Sequence, residues 1–148
     1  MKKILVMGLS GAGKTTFAKS LVDLLLKNNK TVTWFNADII RKLHHDWDFS
    51  LEGRLRQSVR MTALANESKS DYVICDFIAP LVEMRNNFKS DYTVWMDTIV
   101  NSNYSDTDRI FVPPSTYDMR IREKDSVKWS DIFFNVFLKN EGSDFFDI

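Results

Sequence analysis

The chain has 148 residues, 44% hydrophobic and 13% aromatic, which suits one packed domain over residues 1–148 and excludes global disorder. Its 20 basic and 20 acidic side chains balance to zero, which argues against an extended nucleic-acid partner but permits a local basic pocket. A single cysteine, Cys75, excludes an intrachain disulfide framework and a cysteine-rich zinc module and points to a reducing, cytoplasmic setting; no apolar run approaches a membrane span.

Met1-Lys2-Lys3 followed by an apolar run imitates a secretory leader, but the run breaks at once into glycines and Lys14. Ile4 to Met7 instead predicts a strand buried on both faces of a parallel sheet. A glycine-rich turn follows, then a helix with Phe17, Leu21, Leu24 and Leu25 on one side, closing over Lys27 to Lys30. Thr31 to Phe35 predicts the second strand. Leu51, Leu55, Val59 and Ala63 recur at helical spacing and predict an amphipathic helix from about Ser50 to Glu67. Tyr72 to Cys75 and Tyr92 to Met96 read as further strands, with a short helix over Pro80 to Phe88 whose first turn holds the proline. Thr98 to Tyr117 is rich in Asn, Ser, Asp and Thr and contains Pro113-Pro114, so it reads as a long lid-like loop with little regular structure. Ser126 to Leu138 is helical again, and the tail Asp144 to Ile148 either frays or docks. Strands alternating with helices imply crossovers, hence an α/β parallel sheet of four or five strands covered on both faces.

Gly8-Leu9-Ser10-Gly11-Ala12-Gly13-Lys14-Thr15 satisfies G-x-x-x-x-G-K-[ST] between a predicted strand and a predicted helix. Glycines let successive backbone N–H groups converge on one anion, and the helix N-terminus adds its positive end. Lys14 reaches the β- and γ-phosphates of a nucleoside triphosphate, and the Thr15 hydroxyl suits Mg²⁺. The motif names no reaction by itself. The absence of an N-K-x-D segment weakens a GTPase reading, and one short domain favours a small-molecule kinase.

From Ile4 to about Asn87 the sequence resembles the adenylylsulfate kinases, which phosphorylate the ribose 3′-hydroxyl of adenylyl sulfate. Gly8 to Thr16 is similar to that family's G-L-S-G-x-G-K-[ST]-T loop, and Asn36-Ala37-Asp38-Ile39-Ile40-Arg41 falls at its D-G-D-N-[VI]-R. Phe49-Ser50 matches G-F-[ST], Arg54 and Gln57 fall on D-R-x-x-N, and Phe77-Ile78-Ala79-Pro80 with Arg85 resembles F-I-[ST]-P followed by a D-R pair. The resemblance implies a P-loop NTPase kinase fold with ATP and Mg²⁺ as cofactors and adenylyl sulfate as acceptor. It assigns the ATP site to Gly8, Ser10, Gly11, Ala12, Gly13, Lys14, Thr15 and Thr16. Its acceptor side falls on Asp38, Arg41, Phe49, Arg54, Gln57, Ile78 and Phe111. Catalysis falls to Lys14 and Asp38, and the assembly state stays open, with a homodimer one option.

Several of these residues carry a second reading. Asp38 follows a strand end, where it can orient an acceptor hydroxyl, hold metal-bound water, or cap a helix. Arg41 pairs with an anionic substrate or sits solvated. Arg54 and Gln57 share one helical face and Arg56 and Arg60 another, so one pair faces ligand and the other water or a neighbouring element. Phe49 stacks on a base or staples the following helix. Asp76 ends its strand like a Walker B carboxylate, where the resembling family has a small hydroxyl residue; it either joins Thr15 at Mg²⁺ or caps Phe77 to Pro80. Cys75 reads as a buried small apolar residue, Trp34 and Trp95 as core, and His44 and His45 as ordinary polar positions.

The lid departs from the family pattern. Residues Asn101 to Val112 lack its lysines and keep Arg109 alone, with Phe111 at the second adenine-stacking position and Tyr117 near a later tyrosine. Loss of lid cations weakens phosphoryl transfer or marks another acceptor. Beside adenylylsulfate kinase stand two alternatives: a kinase for another nucleotide or nucleoside hydroxyl, and a nucleotide-binding module with little turnover.

Overall fold

The computed structural model describes residues 1–141; the predicted tail Asp144 to Ile148 lies outside them. The apolar run at the start becomes β1 (Lys2–Met7), whose Ile4 to Met7 have no exposed surface. A strand so completely buried must be paired on both edges and covered on both faces. Its neighbours are β3 (Tyr72–Asp76) and β4 (Tyr92–Met96), both parallel to it. Beyond them lie β2 (Val32–Asn36) and β5 (Met119–Ile121), giving a five-stranded parallel sheet of order β2-β3-β1-β4-β5.

Alternate residues of each strand enter opposite cores. Ile4, Val6, Ile74, Val94 and Ile121 pack with Phe17, Leu21 and Leu25 of α1 (Lys14–Lys27) and Phe133 of α6 (Ser126–Phe133). Leu5, Met7, Val73 and Cys75 pack on the other face with Ile40 of α2 (Ala37–Leu43), Met61 and Ala65 of α3 (Leu51–Glu67) and Phe88 of α4 (Val82–Phe88). Burial pushes the Cys75 thiol up to about 12, so it is a core residue in chemistry as well as position. Among the described residues no helix is long and apolar enough to cross a membrane.

Three local expectations need correction. The face of α3 turned inward is not Leu51, Leu55, Val59 and Ala63; Leu51 and Val59 are 56% and 68% exposed, whereas Arg54, Gln57, Ser58, Met61 and Ala65 are buried. The inner end of the helix is polar because it lines a cavity, which displaces the apolar signal onto the outside. Pro80 lies ahead of α4, whose N-cap is Leu81. The long loop contains α5 (Ser105–Ile110) and gives way to β5, two elements that the polar composition hid. The helix predicted over Ser126 to Leu138 is present throughout, as α6 followed by a π-helical turn over Phe134–Leu138, within which Val136 is exposed while Phe134 and Leu138 are buried.

Candidate active site

In a parallel sheet, ligands bind beyond the carboxyl ends of the strands. Here β1, β2 and β3 end in the phosphate-binding loop, Asn36 and Asp76, and these converge on a cavity of about 400 Å³. The backbone at Gly8 runs at φ 145, and a Cβ there would stand 2.4 Å from the Met96 carbonyl oxygen, so only glycine lets the loop turn against β4. The far side of the loop is tied down by Thr98, whose hydroxyl donates to the Ala12 carbonyl at 2.8 Å. Ser10, Gly11, Gly13, Lys14, Thr15 and Thr16 line the cavity; Gly8 and Ala12 shape the loop from beneath without lining it.

Lys14 is buried and donates to the Leu9 carbonyl at 2.8 Å. Burial lowers its ammonium to about 8, against the opposing pull of the Asp76 and Asp38 charges. Asp76 is the deepest carboxylate among the described residues, only 2% exposed. Trp34 Nε1 donates to its Oδ2 at 2.6 Å, Asn36 Nδ2 donates to its Oδ1 at 3.0 Å, and the Thr15 hydroxyl stands 3.5 Å from Oδ1. Burial raises Asp76 to about 6, while the Trp34 and Asn36 hydrogen bonds and the Lys14 charge hold it partly down. Asn36 also donates to Thr15 Oγ1 at 2.9 Å and accepts from the Ile39 N–H as N-cap of α2. That cap leaves Asp38, exposed in the first turn of α2, free to face the cavity.

The opposite wall is built around Phe49. Arg41 stands 4.4 Å from the centre of its ring and Arg54 5.5 Å. Phe49 precedes the N-cap Ser50, the place of a hydrophobic staple, but its partner four residues into α3 is a guanidinium rather than an apolar side chain. The ring is 47% exposed at the cavity edge. Arg41 donates to the Asp46 and Asp48 carbonyls, both at 3.1 Å. Arg54 donates to the Phe49 carbonyl at 2.9 Å and to the Thr107 hydroxyl of α5 at 2.7 Å. Both guanidiniums therefore hold the Phe49 loop in the present arrangement. Gln57 donates to the Ala37 carbonyl at 3.0 Å, joining α3 to the start of α2. The outer pair turns to a neighbouring element: Arg56 and Arg60 both pair with Asp46, at 2.8 and 3.0 Å.

Ile78 joins the lining with Phe77, Ala79, Pro80 and Met84. Phe111 stands outside it, with its ring 5.5 Å from the Arg85 guanidinium. Arg85 donates to the carbonyls of Ala79, Pro80 and Val112, which fastens the Ile78 loop to the segment after α5. Tyr117 packs on Trp95. Of the lining residues not assigned a role from the sequence, Asn36, Ala37, Phe77, Ala79 and Pro80 lie within the motifs that carry the resemblance, whereas Met84 and Lys124 lie outside them. Asn36 had a signal, a polar residue closing an apolar strand; Lys124 follows a three-residue strand too short to read.

Thr15 and Asp76 present hard oxygen donors side by side, the donor chemistry that Mg²⁺ takes, and a cation there would relieve a buried carboxylate. No hydrogen bond joins the Asp76 carboxylate to residues 77–80; its described partners are Trp34, Asn36 and Thr15.

Residues 2–107 match the family model of adenylylsulphate kinase. A probable adenylyl-sulfate kinase of Pseudomonas aeruginosa is 31% identical over 98 residues, covering 64% of this chain and 46% of that protein. A probable adenylyl-sulfate kinase of Aeropyrum pernix is 37% identical over 82 residues, covering 53% and 45%. The chain thus spans just under half the length of these curated relatives. The structure of the Mycobacterium tuberculosis APS kinase in complex with AMPPNP and APS superimposes with a TM-score of 0.77 at 19% identity, over 90% of this chain and 95% of that one. A shikimate kinase from Acinetobacter baumannii in complex with shikimate gives 0.62 at 19%, over 96% of each. At such identities the likeness establishes the fold, that of P-loop kinases.

Proposed function

The chain belongs to the adenylylsulphate kinase family, and from that premise we propose that it transfers the γ-phosphoryl group of ATP to the ribose 3′-hydroxyl of adenylyl sulfate. The observation that carries the reading is a single cavity with the phosphate-binding loop on one wall, Phe49 on the other and the Asp38 carboxylate beside both. The acceptor oxygen attacks the γ-phosphorus, the bond to the β–γ bridging oxygen breaks, ADP departs and the hydroxyl proton passes to Asp38. Lys14 exchanges the Leu9 carbonyl for phosphate oxygens, which favours its charged form. Thr15 and Asp76 would hold Mg²⁺, which when bound offsets charge on the phosphates. Phe49, half-exposed at the cavity edge beside Arg41 and Arg54, offers its ring to the acceptor base. The reading treats residues 1–148 as one kinase domain with the segment around α5 as its lid.

A second reading is a kinase for another nucleotide or nucleoside hydroxyl. It is favoured by the position of Phe111 outside the cavity and by the commitment of Arg41 and Arg54 to internal partners. ADP release from ATP·Mg²⁺, with and without adenylyl sulfate and with Lys14→Ala as blank, tests the proposal. Stimulation by adenylyl sulfate is expected, and Asp38→Asn should lose it by roughly 10²-fold or more while still binding ATP. Stimulation only by other nucleosides would transfer support to the second reading. ATP binding without any acceptor-dependent release would leave a nucleotide-binding module.

A further inference from the structure

Four cations line the main cavity: Lys14, Arg41, Arg54 and Lys124. Three are engaged, Lys14 with the Leu9 carbonyl, Arg41 with two carbonyls of the Phe49 loop, and Arg54 with Phe49 and Thr107. Lys124 has no hydrogen-bond or ion-pair partner among the described residues. It stands in the segment between β5 and α6, and its Cγ lies 4.0 Å from the position a Cβ on Gly13 would take. The two acids beside it border the same small recess but have other partners. Glu123 pairs with Lys128 at 2.9 Å, and Asp125 accepts from the Lys128 N–H as N-cap of α6. Lys124 also borders a neighbouring recess of about 100 Å³ with Gly13 and Thr16, so its side chain flanks the phosphate-binding loop from the β5 side.

We propose that Lys124 is a positioning residue for the donor nucleotide, pairing with its polyphosphate from the β5 side of the loop. The proposal rests on the reading of this loop as the ATP site. The lid-like segment supplies no positive charge to the cavity, since Arg109 of α5 is exposed and outside its lining. A lysine on an exposed segment brings a mobile point charge that engages only when an anion arrives.

The test compares wild type, Lys124→Met and Lys124→Arg by calorimetry, with ADP and with inorganic pyrophosphate as probes. Lys124→Met should weaken both probes by roughly tenfold, the loss should shrink at high salt, and Lys124→Arg should restore most of the affinity. Unchanged affinity for both probes would overturn the proposal. A loss confined to ADP would also overturn it, because the contact would then be with the nucleoside. A matching fall in thermal stability of Lys124→Met, with no rescue by arginine, would assign the residue a structural role instead. If wild type binds ADP but no acceptor stimulates turnover, the kinase reading fails while this proposal stands. If wild type binds neither probe, both fall.

Discussion

At Asp76 a carboxylate is buried to 2% exposure and still keeps three polar neighbours, Trp34, Asn36 and Thr15. Its pKa of about 6 in the fold stands above the ordinary 3.8, so the folded chain binds this proton more tightly than the unfolded chain does. Stability contributed at this site therefore falls as pH rises from about 4 to 6, and above that a penalty of about 3 kcal/mol remains in full. An asparagine there can still accept from Trp34 and Asn36 through its one oxygen. Without divalent cations, Asp76→Asn should thus be more stable than wild type by about 1–3 kcal/mol at neutral pH, converging near pH 4. Urea titrations across that range read this directly, and a difference independent of pH would refute the assignment. Asn36 explains why the cluster is tolerable. Its register partner across β2 and β3 is Asp76, and an aspartate at 36 would set two carboxylates against each other.

The helix α3 and the segment before it work as one element. Gly53 lies so close to Asp48 that an added Cβ would stand 2.1 Å from its carbonyl oxygen, and the same carbonyl accepts from Arg41. Gly53→Ala should displace the Phe49 loop, costing about 1–3 kcal/mol of stability. Affinity for adenylyl sulfate should fall severalfold while ADP affinity holds; equal losses for both would place the loop outside the acceptor site. This helix also shows where the sequence misleads. Its period is legible, but the apolar repeat points to Leu51 and Val59 as the inner face, whereas only the family resemblance turns Arg54 and Gln57 inward to the ligand. Burial here follows the ligand cavity and not side-chain polarity. By contrast β1, β3 and β4 announced themselves, since strands buried on both faces need unbroken apolar runs. The phosphate-binding loop was equally plain, because its conformation demands residue types that few other structures need. For α5 there was no such signal: Ser-Asp-Thr-Asp-Arg-Ile has no apolar face, and the helix is held by the Thr107 contact with Arg54 and by Asp108, which accepts from Ser102.

Across the whole molecule, chemistry gathers at the carboxyl ends of the strands and anchoring at the other. Tyr72 and Tyr92, the first residues of β3 and β4, both donate their hydroxyls to Glu141, which fastens the segment after α6 to the amino-terminal edge of the sheet. Glu141→Ala should lower stability by about 1.5–3 kcal/mol yet leave ADP affinity unchanged, as denaturant titration and calorimetry would show. A parallel loss of ADP affinity would mean that the two ends of the sheet are coupled. Cys75 gives this architecture a further use. It is the single thiol of the chain, it lies in β3 beside the central strand, and it is both inaccessible and un-ionised in the native state. A thiol reagent can reach it only when the sheet itself opens, so labelling becomes a clock for that opening. Slower labelling in the presence of nucleotide would measure, without any assay of turnover, how much of the binding energy is spent in holding the strands together.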